Sequence, residues 1–336
     1  MRIAQLAPLA EAVPPKLYGG TERVVSWLTE ELVEMGHNVT LFASGDSVTE
    51  ATLIACSPRA LRLDPERRDP LLAYAAMLAR FVEMAPQFDV VHAHIDWVHI
   101  PMLLQLGLPF VTTLHGRLDL SDLNACFEGC FAEAQFVSIS EAQRAPLPHA
   151  RWTGMVHHGL PEDLLKPNFS PTGYFAFLGR ISPEKGPESA IRLARAAGLP
   201  LKIAAKVDVA DQAYFELKVE PLLAGDDVEF VGEIDEGQKA DFLGNAAALL
   251  FPISWPEPFG LVMLEAMARA TPVIAYDCGS VPEIVEDGII GFVVDSDDEA
   301  VRAMARVAAL DRRVVRARFE RRFTARRMAE DYLRIY

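Results

Sequence analysis

Short apolar segments alternate along this chain with longer segments in which apolar residues recur at helical spacing. The chain opens with the apolar segment RIAQLA, a loop, the amphipathic segment TERVVSWLTEELVEMG and a second apolar segment, HNVTLFAS. Thr21 is a typical N-cap for the amphipathic segment and Gly36 a typical C-terminal end, so this segment predicts a helix with one buried face. The order predicts a β-α-β unit.

The same alternation continues and predicts a parallel sheet. Helices are predicted near residues 71–84, 98–106 and 121–131, and each is followed by an apolar strand, namely DVVHAH, PFVTTLH and QFVSIS. Because these strands are apolar at almost every position, we expect helices to cover both faces of their sheet.

A stretch without periodicity, residues 157–173, interrupts the pattern with three prolines and reads as an interdomain linker. The alternation then restarts with helices predicted at residues 184–197 and 210–223 and in LVMLEAMARA. The strands predicted beyond the linker are YFAFLGR, PLKIAAK, VEFVGEI, ALLFPI, TPVIAYD and GFVVD. The pattern therefore predicts two Rossmann-like α/β domains, 1–160 and 161–323, with ligands bound beyond the carboxyl ends of their strands.

Composition agrees with a folded two-domain protein. The chain has 336 residues, more than one hydrophobic core usually supports, with 51% hydrophobic and 24% charged residues. A net charge of −15 disfavours nucleic acid as a partner and requires any anion site to be local. The Arg-rich residues 312–327 favour a solvated helical face over a contact with anionic lipid. Four scattered cysteines and no long apolar segment lead us to expect a cytoplasmic protein.

Two groups of residues follow predicted strands and suit phosphate. Gly19 and Gly20 precede the first helix, where backbone N–H groups favour an anion, although a plain turn explains a Gly-Gly pair equally well. Arg180 and Lys185 flank the loop in FLGRISPEKG and would neutralise a diphosphate leaving group without a metal. A surface salt bridge from Arg180 or Lys185 to Glu184 or Glu188 is the competing interpretation.

The most specific pattern is WPEPFGLVMLEAMARA. Glu257 lies in a proline-bounded loop, Gly260 opens a helix, and Glu265 lies within that helix among apolar neighbours. The N–H groups of residues 259–262 would hold a diphosphate, while a carboxylate accepts from two vicinal hydroxyls of a sugar or ribose. Burying Glu265 without a partner would be costly, which weakens a purely structural interpretation.

Several motifs in one order resemble the family 4 (group 1) retaining glycosyltransferases with the GT-B fold. They run nearly end to end: YGGTERVV, TLHG, FLGRISPEKG, EPFGLVMLEAMA and CGSVPEIVEDGIIGFVV. The resemblance implies two Rossmann-like domains with parallel sheets that face each other across a cleft. It assigns the acceptor to domain 1–160, the nucleotide-sugar donor to domain 161–323, and to the final helix, 324–336, a return to the first domain.

The resemblance also implies roles for the phosphate-binding candidates. Gly19 and Gly20 would approach the donor phosphate, and Arg180 and Lys185 would bind the diphosphate. His115, in TLHG, matches a family histidine near the reacting sugar; taken alone, a single histidine is more often structural.

The carboxylates and the helix start receive the remaining roles. Glu257 would hold hydroxyls of the donor sugar, and Glu265 would bind the ribose diol. The backbone amides of Phe259, Gly260 and Leu261 would lie beside the sugar and phosphate.

One residue departs from the family pattern. His158 stands where the family often has Asn before Gly. The sequence leaves open whether His158 is a neutral hinge substitution or a contact in the cleft.

The family mechanism implies retention, with the leaving phosphate oxygen accepting the acceptor's proton and no protein nucleophile. It implies a UDP-sugar first, with GDP and ADP open, and neither a cofactor nor a metal ion. Asp226 and Asp227 resemble loop residues more than a metal site, and Asp295, Asp297 and Asp298 resemble loop and helix-cap residues. A sugar-nucleotide epimerase and a non-catalytic nucleotide-sugar binding protein are the rival hypotheses. We expect a small-molecule or glycan acceptor rather than a lipid, although the residues encode no recognisable acceptor, donor sugar or oligomeric state.

Overall fold

The computed structural model describes residues 1–16, 19–64, 66 and 69–336. Backbone contacts divide the chain into two compact units: Met1–Leu160 together with Ala325–Tyr336, and Pro161–Thr324. Each unit has its own parallel sheet flanked by helices. The predicted α/β fold class is therefore confirmed.

The first unit contains a seven-stranded sheet in the spatial order β3-β2-β1-β4-β5-β6-β7. All neighbouring strands are parallel. The strands are β1 (Arg2–Leu6), β2 (Asn38–Ser44), β3 (Thr52–Ser57), β4 (Val90–Ala93), β5 (Phe110–Thr113), β6 (Phe136–Ser138) and β7 (Trp152–Met155). The edge strands β3 and β7 were not predicted, because they are half-exposed and no long amphipathic helix separates either from the strand before it.

The helices of the first unit lie close to their predicted positions. They are α1 (Gly20–Glu34), α2 (Pro70–Met84), α3 (Ile100–Leu106), α4 (Leu123–Glu128) and the short α5 (Glu141–Arg144). The N-cap of α1 is Gly19 rather than Thr21. Gly36 follows the helix with a φ of 83°, a left-handed conformation that glycine adopts readily.

The second unit contains a six-stranded parallel sheet in the order β10-β9-β8-β11-β12-β13. Its strands are β8 (Tyr174–Arg180), β9 (Leu201–Lys206), β10 (Val228–Gly232), β11 (Ala246–Phe251), β12 (Val273–Tyr276) and β13 (Gly291–Val294). All six were predicted, because each carries apolar residues that the helices bury. The sheet brings the ends of β8 and β11 together as neighbours.

The helices of the second unit depart further from prediction. They are α6 (Pro187–Ala197), α7 (Gln212–Tyr214), α8 (Glu236–Gly244), α9 (Leu261–Ala268), α10 (Val281–Ile284), α11 (Asp297–Arg306) and α12 (Arg312–Arg322). The single helix predicted over residues 210–223 is broken into α7, a π-helical turn and a 3₁₀ turn that contains Pro221. Proline lacks the N–H that a continuous helix requires.

The final helix, α13 (Ala325–Ile335), belongs to the first unit and contacts α1. Met328, Ala329 and Tyr332 on one of its faces are fully buried. Among the residues that the structure describes, no helix combines the length and apolar character that a membrane crossing requires.

Arginines of α12 are more buried than a solvated helical face would be. Arg316 is 7% exposed, and its guanidinium donates to the carbonyl oxygens of Glu162, Leu165 and Ala268 at 2.7–2.9 Å. Arg312 donates to the carbonyl oxygens of Asn168, Gly244 and Ala246. These arginines donate to carbonyl oxygens of loops, helix ends and a strand, so the interpretation of residues 312–327 as a solvated face is wrong for them.

We expect Arg316→Met to lower the free energy of unfolding of the second unit by about 2–3 kcal/mol, because three carbonyl groups lose their donor in a buried position. Urea unfolding measures the change. Arg321→Met is the matched control, since Arg321 lies on the same helix but is exposed. Equal losses for the two variants would contradict the anchoring role of Arg316.

Candidate active site

The carboxyl ends of β8 and β11 place Lys185 against Glu257. Lys185 lies in a 3₁₀ turn after β8, and Glu257 lies in the loop after β11. The Nζ of Lys185 donates to Oε2 of Glu257, and their side chains are 20% and 11% exposed. The partner of Lys185 is therefore Glu257 and not Glu184 or Glu188, which were the competing interpretation. Two predicted site residues therefore meet as a mostly buried ion pair.

Trp255 contacts both members of this ion pair, and the sequence analysis did not predict it as a site residue. Its Nε1 donates to Oε2 of Glu257 at 3.1 Å, the same oxygen that Lys185 contacts. The Nζ of Lys185 lies 5.0 Å from the centroid of the Trp255 ring, within the range of a cation–π contact. Trp255 thus holds both charged groups and turns one defined oxygen of Glu257 toward the protein.

The loop after β12 supports the backbone of Glu257. Gly279 has a φ of 59°, and a Cβ at this position would lie 2.4 Å from the backbone N and 2.5 Å from the backbone O of Glu257. The N–H of Ser280 donates to the carbonyl of Glu257 at 3.0 Å, and its Oγ donates to the carbonyl of Phe259 at 2.9 Å. The motif CGSVPEI therefore fixes the loop that carries Glu257, a role that the sequence analysis did not assign.

Helix α9 begins directly after Gly260, as predicted. Gly260 is its N-cap and has a φ of 80°. Phe259 before it is 2% exposed. The backbone amides of Phe259, Gly260 and Leu261 thus lie at a helix start beside Glu257, where the helix dipole favours an anion.

Glu265 has a partner that the sequence analysis did not identify. Its residue is 7% exposed, and its Oε1 accepts from Nζ of Lys239 on α8 at 2.8 Å. Lys239 also pairs with Glu236. The expected cost of burying Glu265 is therefore offset by a neighbouring helix, and the carboxylate is held in position.

Arg180 lies at the end of β8 among carboxylates. Its Nη2 donates to Oε1 of Glu184 at 2.6 Å, so the salt bridge that the sequence left open is present. Its Nε lies 3.5 Å from a carboxylate oxygen of Asp211, and its Nη1 lies 4.0 Å from one of Asp208. The side chain of Arg180 is 35% exposed, so solvent screens these pairs and a diphosphate would compete with them.

A buried carboxylate lies beside Gly19 in the first unit. Glu22, in the first turn of α1, is 6% exposed, and its Oε2 would lie 3.1 Å from a Cβ at Gly19. Burial raises the pKa of Glu22, and the nearby charge of Glu11 adds to this rise. The residues predicted to approach a phosphate, Gly19 and Gly20, therefore have a carboxylate as neighbour. Tyr18 of the motif YGGT lies outside the described residues.

His115 follows β5 and lies among other histidines of the first unit. Its Nε2 is 2.9 Å from Nδ1 of His94, and its ring stacks on His158 with centroids 5.2 Å apart. Burial lowers the pKa of His115 and of the nearby His99 to about 3, so both stay neutral near pH 7. The family departure at His158 thus provides a ring contact for His115.

Carboxylates that resemble a metal motif have other contacts. Asp227 pairs with Arg195 at 2.6 Å, and Asp297 begins α11 and accepts from the hydroxyl of Tyr276. Within residues 1–16, 19–64, 66 and 69–336, no three His, Cys, Asp or Glu side chains are grouped so that they could hold a metal ion.

The folds of the two units define the class of the protein. The crystal structure of AviGT4, a glycosyltransferase of avilamycin A biosynthesis, matches all of this chain and 96% of its own with a TM-score of 0.75 and 25% identity. Anabaena Alr3699/HepE in complex with UDP-glucose matches all of both chains with a TM-score of 0.75 and 16% identity. The protein has the GT-B glycosyltransferase fold.

Sequence comparisons then identify the family. The models "Glycosyltransferase Family 4" and "Glycosyl transferases group 1" match residues 18–153 and 166–322. The phosphatidyl-myo-inositol mannosyltransferase of Mycobacterium leprae is 26% identical over all of this chain and 96% of its own length. The chain belongs to the family 4 (group 1) glycosyltransferases, and the predicted family and enzyme class are confirmed.

We expect Gly279→Ala to lower the free energy of unfolding by about 2–4 kcal/mol, because the positive φ costs about 1 kcal/mol and the collision with Glu257 adds the rest. Gly288→Ala is the matched control, since Gly288 has a φ of 70° but a Cβ placed there would have no atom within 4 Å. Differential scanning calorimetry compares the stability of the two variants. Equal losses would mean that Gly279 does not support Glu257.

A second prediction concerns the dependence of the free energy of unfolding on pH. His99 is fully buried with a pKa of about 3, against 6.5 in an unfolded chain. Between these values the unfolded chain binds a proton that the native protein does not, so the free energy of unfolding falls as the pH falls. We expect His99→Gln to flatten this slope by up to about 1.4 kcal/mol per pH unit between about pH 4 and 6.

Urea unfolding at a series of pH values measures this slope. Thr112→Val is the control, because it removes the hydroxyl that lies 2.7 Å from Nε2 of His99 but keeps the imidazole. Thr112→Val should lower stability and keep the slope. An unchanged slope in His99→Gln would show that His99 does not titrate in this way.

Proposed function

We propose that the protein is a retaining glycosyltransferase that uses a nucleotide diphosphate sugar, with a UDP-sugar as the first donor to test, and needs no metal ion. The observation that carries this proposal is the ion pair of Lys185 with Glu257 beside the start of α9. It offers a cation, a carboxylate and helix amides at one edge of one sheet.

These groups suit the two halves of a sugar diphosphate. Phosphate oxygens would replace Glu257 as the partner of Lys185. Hydroxyls of the sugar would then donate to the carboxylate of Glu257. The phosphate would then compensate the charge of Lys185, while the sugar hydroxyls and Trp255 would satisfy the carboxylate of Glu257 by hydrogen bonds. Arg180 and the start of α9 would further stabilise the negative charge that develops on the leaving phosphate.

Glu265 suits the ribose of the nucleotide. Lys239 contacts its Oε1, and an ionised carboxylate has further lone pairs that accept from two vicinal hydroxyls. Because Lys239 holds the carboxylate, less side-chain freedom is lost when the ribose binds. The bound UDP-glucose of Alr3699/HepE, a protein of the same fold, supports UDP as the first nucleotide to test.

In this mechanism the acceptor hydroxyl attacks the anomeric carbon on the face from which the diphosphate departs. The bond between that carbon and the phosphate oxygen breaks, and the departing oxygen takes the acceptor's proton, so configuration is retained without a protein nucleophile. Lys185 and Arg180 stabilise the leaving group. We assign His115 of the first unit to a hydroxyl of the reacting sugar. The name of the M. leprae relative makes phosphatidyl-myo-inositol one acceptor to include in a screen.

Calorimetric titration tests the donor site directly. UDP-, GDP- and ADP-sugars are titrated with EDTA present into the wild type and into Glu265→Gln, which keeps the side-chain volume but loses the charge. We expect one nucleotide to bind the wild type, and the variant to bind it at least about tenfold more weakly through loss of charge-assisted hydrogen bonds.

Glu229→Gln is the matched control, because Glu229 is an exposed carboxylate of β10 in the same unit that also pairs with a lysine. It should bind the donor as the wild type does. Binding that requires magnesium, or that ignores Glu265, would reject the site. Conversion of the donor sugar to an epimer without any acceptor, followed by NMR, would favour an epimerase instead.

A further inference from the structure

A continuous chain of buried and partly buried hydrogen bonds leads away from His115 through the first unit. Nδ1 of His94 lies 2.9 Å from Nε2 of His115, and Nε2 of His94 lies 2.8 Å from Oε1 of Gln5. The chain continues from Nε2 of Gln5 to the hydroxyl of Tyr336, 3.3 Å away, and from that hydroxyl to Nδ1 of His92, 2.6 Å away. Gln5, His92 and His94 are at most 2% exposed.

With the amide oxygen of Gln5 facing His94, the chemistry of each group determines where the protons lie. An amide oxygen only accepts, so Nε2 of His94 must carry the proton that it shares with Oε1 of Gln5. A neutral imidazole has one N–H, so Nδ1 of His94 is then an acceptor. The proton between the two histidines therefore belongs to Nε2 of His115, and Nδ1 of His115 is left as a lone pair.

The other end of the chain agrees with this assignment. The amide nitrogen of Gln5 donates to Tyr336, so the hydroxyl of Tyr336 is free to donate to Nδ1 of His92. Nε2 of His92 then donates to Oγ1 of Thr113 at 2.7 Å. The opposite orientation of the Gln5 amide would reverse each step and place an N–H on Nδ1 of His115.

Nδ1 of His115 decides between the two orientations. This atom is buried and has no hydrogen-bond partner among the residues that the structure describes. Proteins leave a buried N–H without an acceptor more rarely than they leave a lone pair unfilled. The ring itself is held by the stacked ring of His158, so the free lone pair has a fixed direction.

We propose that Gln5, His94 and Tyr336 are positioning residues that hold His115 in the tautomer with a protonated Nε2, so that its Nδ1 accepts a hydrogen bond from a ligand hydroxyl. The relay is defined by these three residues. The proposal rests on the proposed function in one respect only, namely that the ligand hydroxyl belongs to the reacting sugar. Donation from a hydroxyl of the sugar would satisfy an atom that the protein leaves without a partner among its described residues.

The tautomer can be observed directly on the full-length protein labelled with ¹⁵N-histidine. Two-bond ¹H–¹⁵N spectra distinguish the two neutral tautomers, and His115→Gln assigns the signals of His115 among the 8 histidines. We expect the Nε2-protonated form in the wild type. Gln5→Met removes the acceptor of the relay and should give a mixture of tautomers, whereas Gln5→Glu retains an acceptor and should restore the single form.

Thr112→Val is the matched control, because it disturbs a similar buried pair with His99 outside the relay. It should leave the signals of His115 unchanged. Tyr336→Phe provides a second variant should Gln5→Met fail to fold, and it should also weaken the preference by freeing the Gln5 amide to rotate. A wild-type His115 protonated at Nδ1, or signals that neither variant changes, would overturn the relay.

Transfer kinetics separate the relay from the proposed function. We expect kcat/KM to fall about tenfold in Gln5→Met, the equivalent of one hydrogen bond, and to recover in Gln5→Glu. If the tautomer changes and kcat/KM does not, the relay stands and the role of His115 in transfer is rejected. If kcat/KM falls while the tautomer stays fixed, the relay is rejected and His115 keeps its proposed role.

Discussion

The ion pair between Lys185 and Glu257 is the interaction on which the rest of the second unit's site depends. Each charge alone would be expensive to bury, and each compensates the other. Because β8 and β11 are neighbours in a parallel sheet, the loops that carry the two residues emerge at one edge. Trp255 and Ser280 then restrain the carboxylate and its backbone. The topology of the sheet brings the charges together, and local contacts set their geometry.

The same rule of compensation applies elsewhere in this unit. Lys239 neutralises Glu265, and Arg316 satisfies loop carbonyls beneath α12. In a chain with a net charge of −15, Arg180 and Lys185 near the end of β8 are the local cations that suit an anion. A diphosphate can replace Glu257 as the partner of Lys185, while hydroxyl groups of the ligand donate hydrogen bonds to the carboxylate that is released.

The sequence predicted the central strands and the residues of the motifs better than their surroundings. Strands such as β8 and β9 are separated by a long amphipathic helix, whereas no long helix precedes the half-exposed β3 and β7. Glu265 could be identified from its motif, but Lys239 could not be named as its partner, because the pairing of α8 with α9 is a tertiary contact.

Gly19 and Gly20 illustrate the opposite case. A Gly-Gly pair at a helix start suggests room for a phosphate, yet whether that room is free depends on how Glu22 packs. Gly279 also shows that the sequence does not reveal which residues pack together. Its motif was recognised, but the need for glycine became evident only from the backbone of Glu257 against which it lies. A sequence motif shows which residue types occur at which spacing, but it does not show which residue packs against which.

The Lys185–Glu257 pair and the hydrogen-bond chain at His115 stabilise buried polar groups by different means. An ion pair fixes charge but tolerates exchange of one acceptor oxygen for another. A neutral hydrogen-bond chain is directional, because reversing one donor reverses every proton along it. The ring centroids of His92 and His94 lie 3.9 Å apart. Burial lowers the pKa of both histidines, and the charges of other histidines of the unit add to this effect. The direction of the chain at His115 therefore depends on Gln5 in the first strand and on Tyr336, 331 residues later.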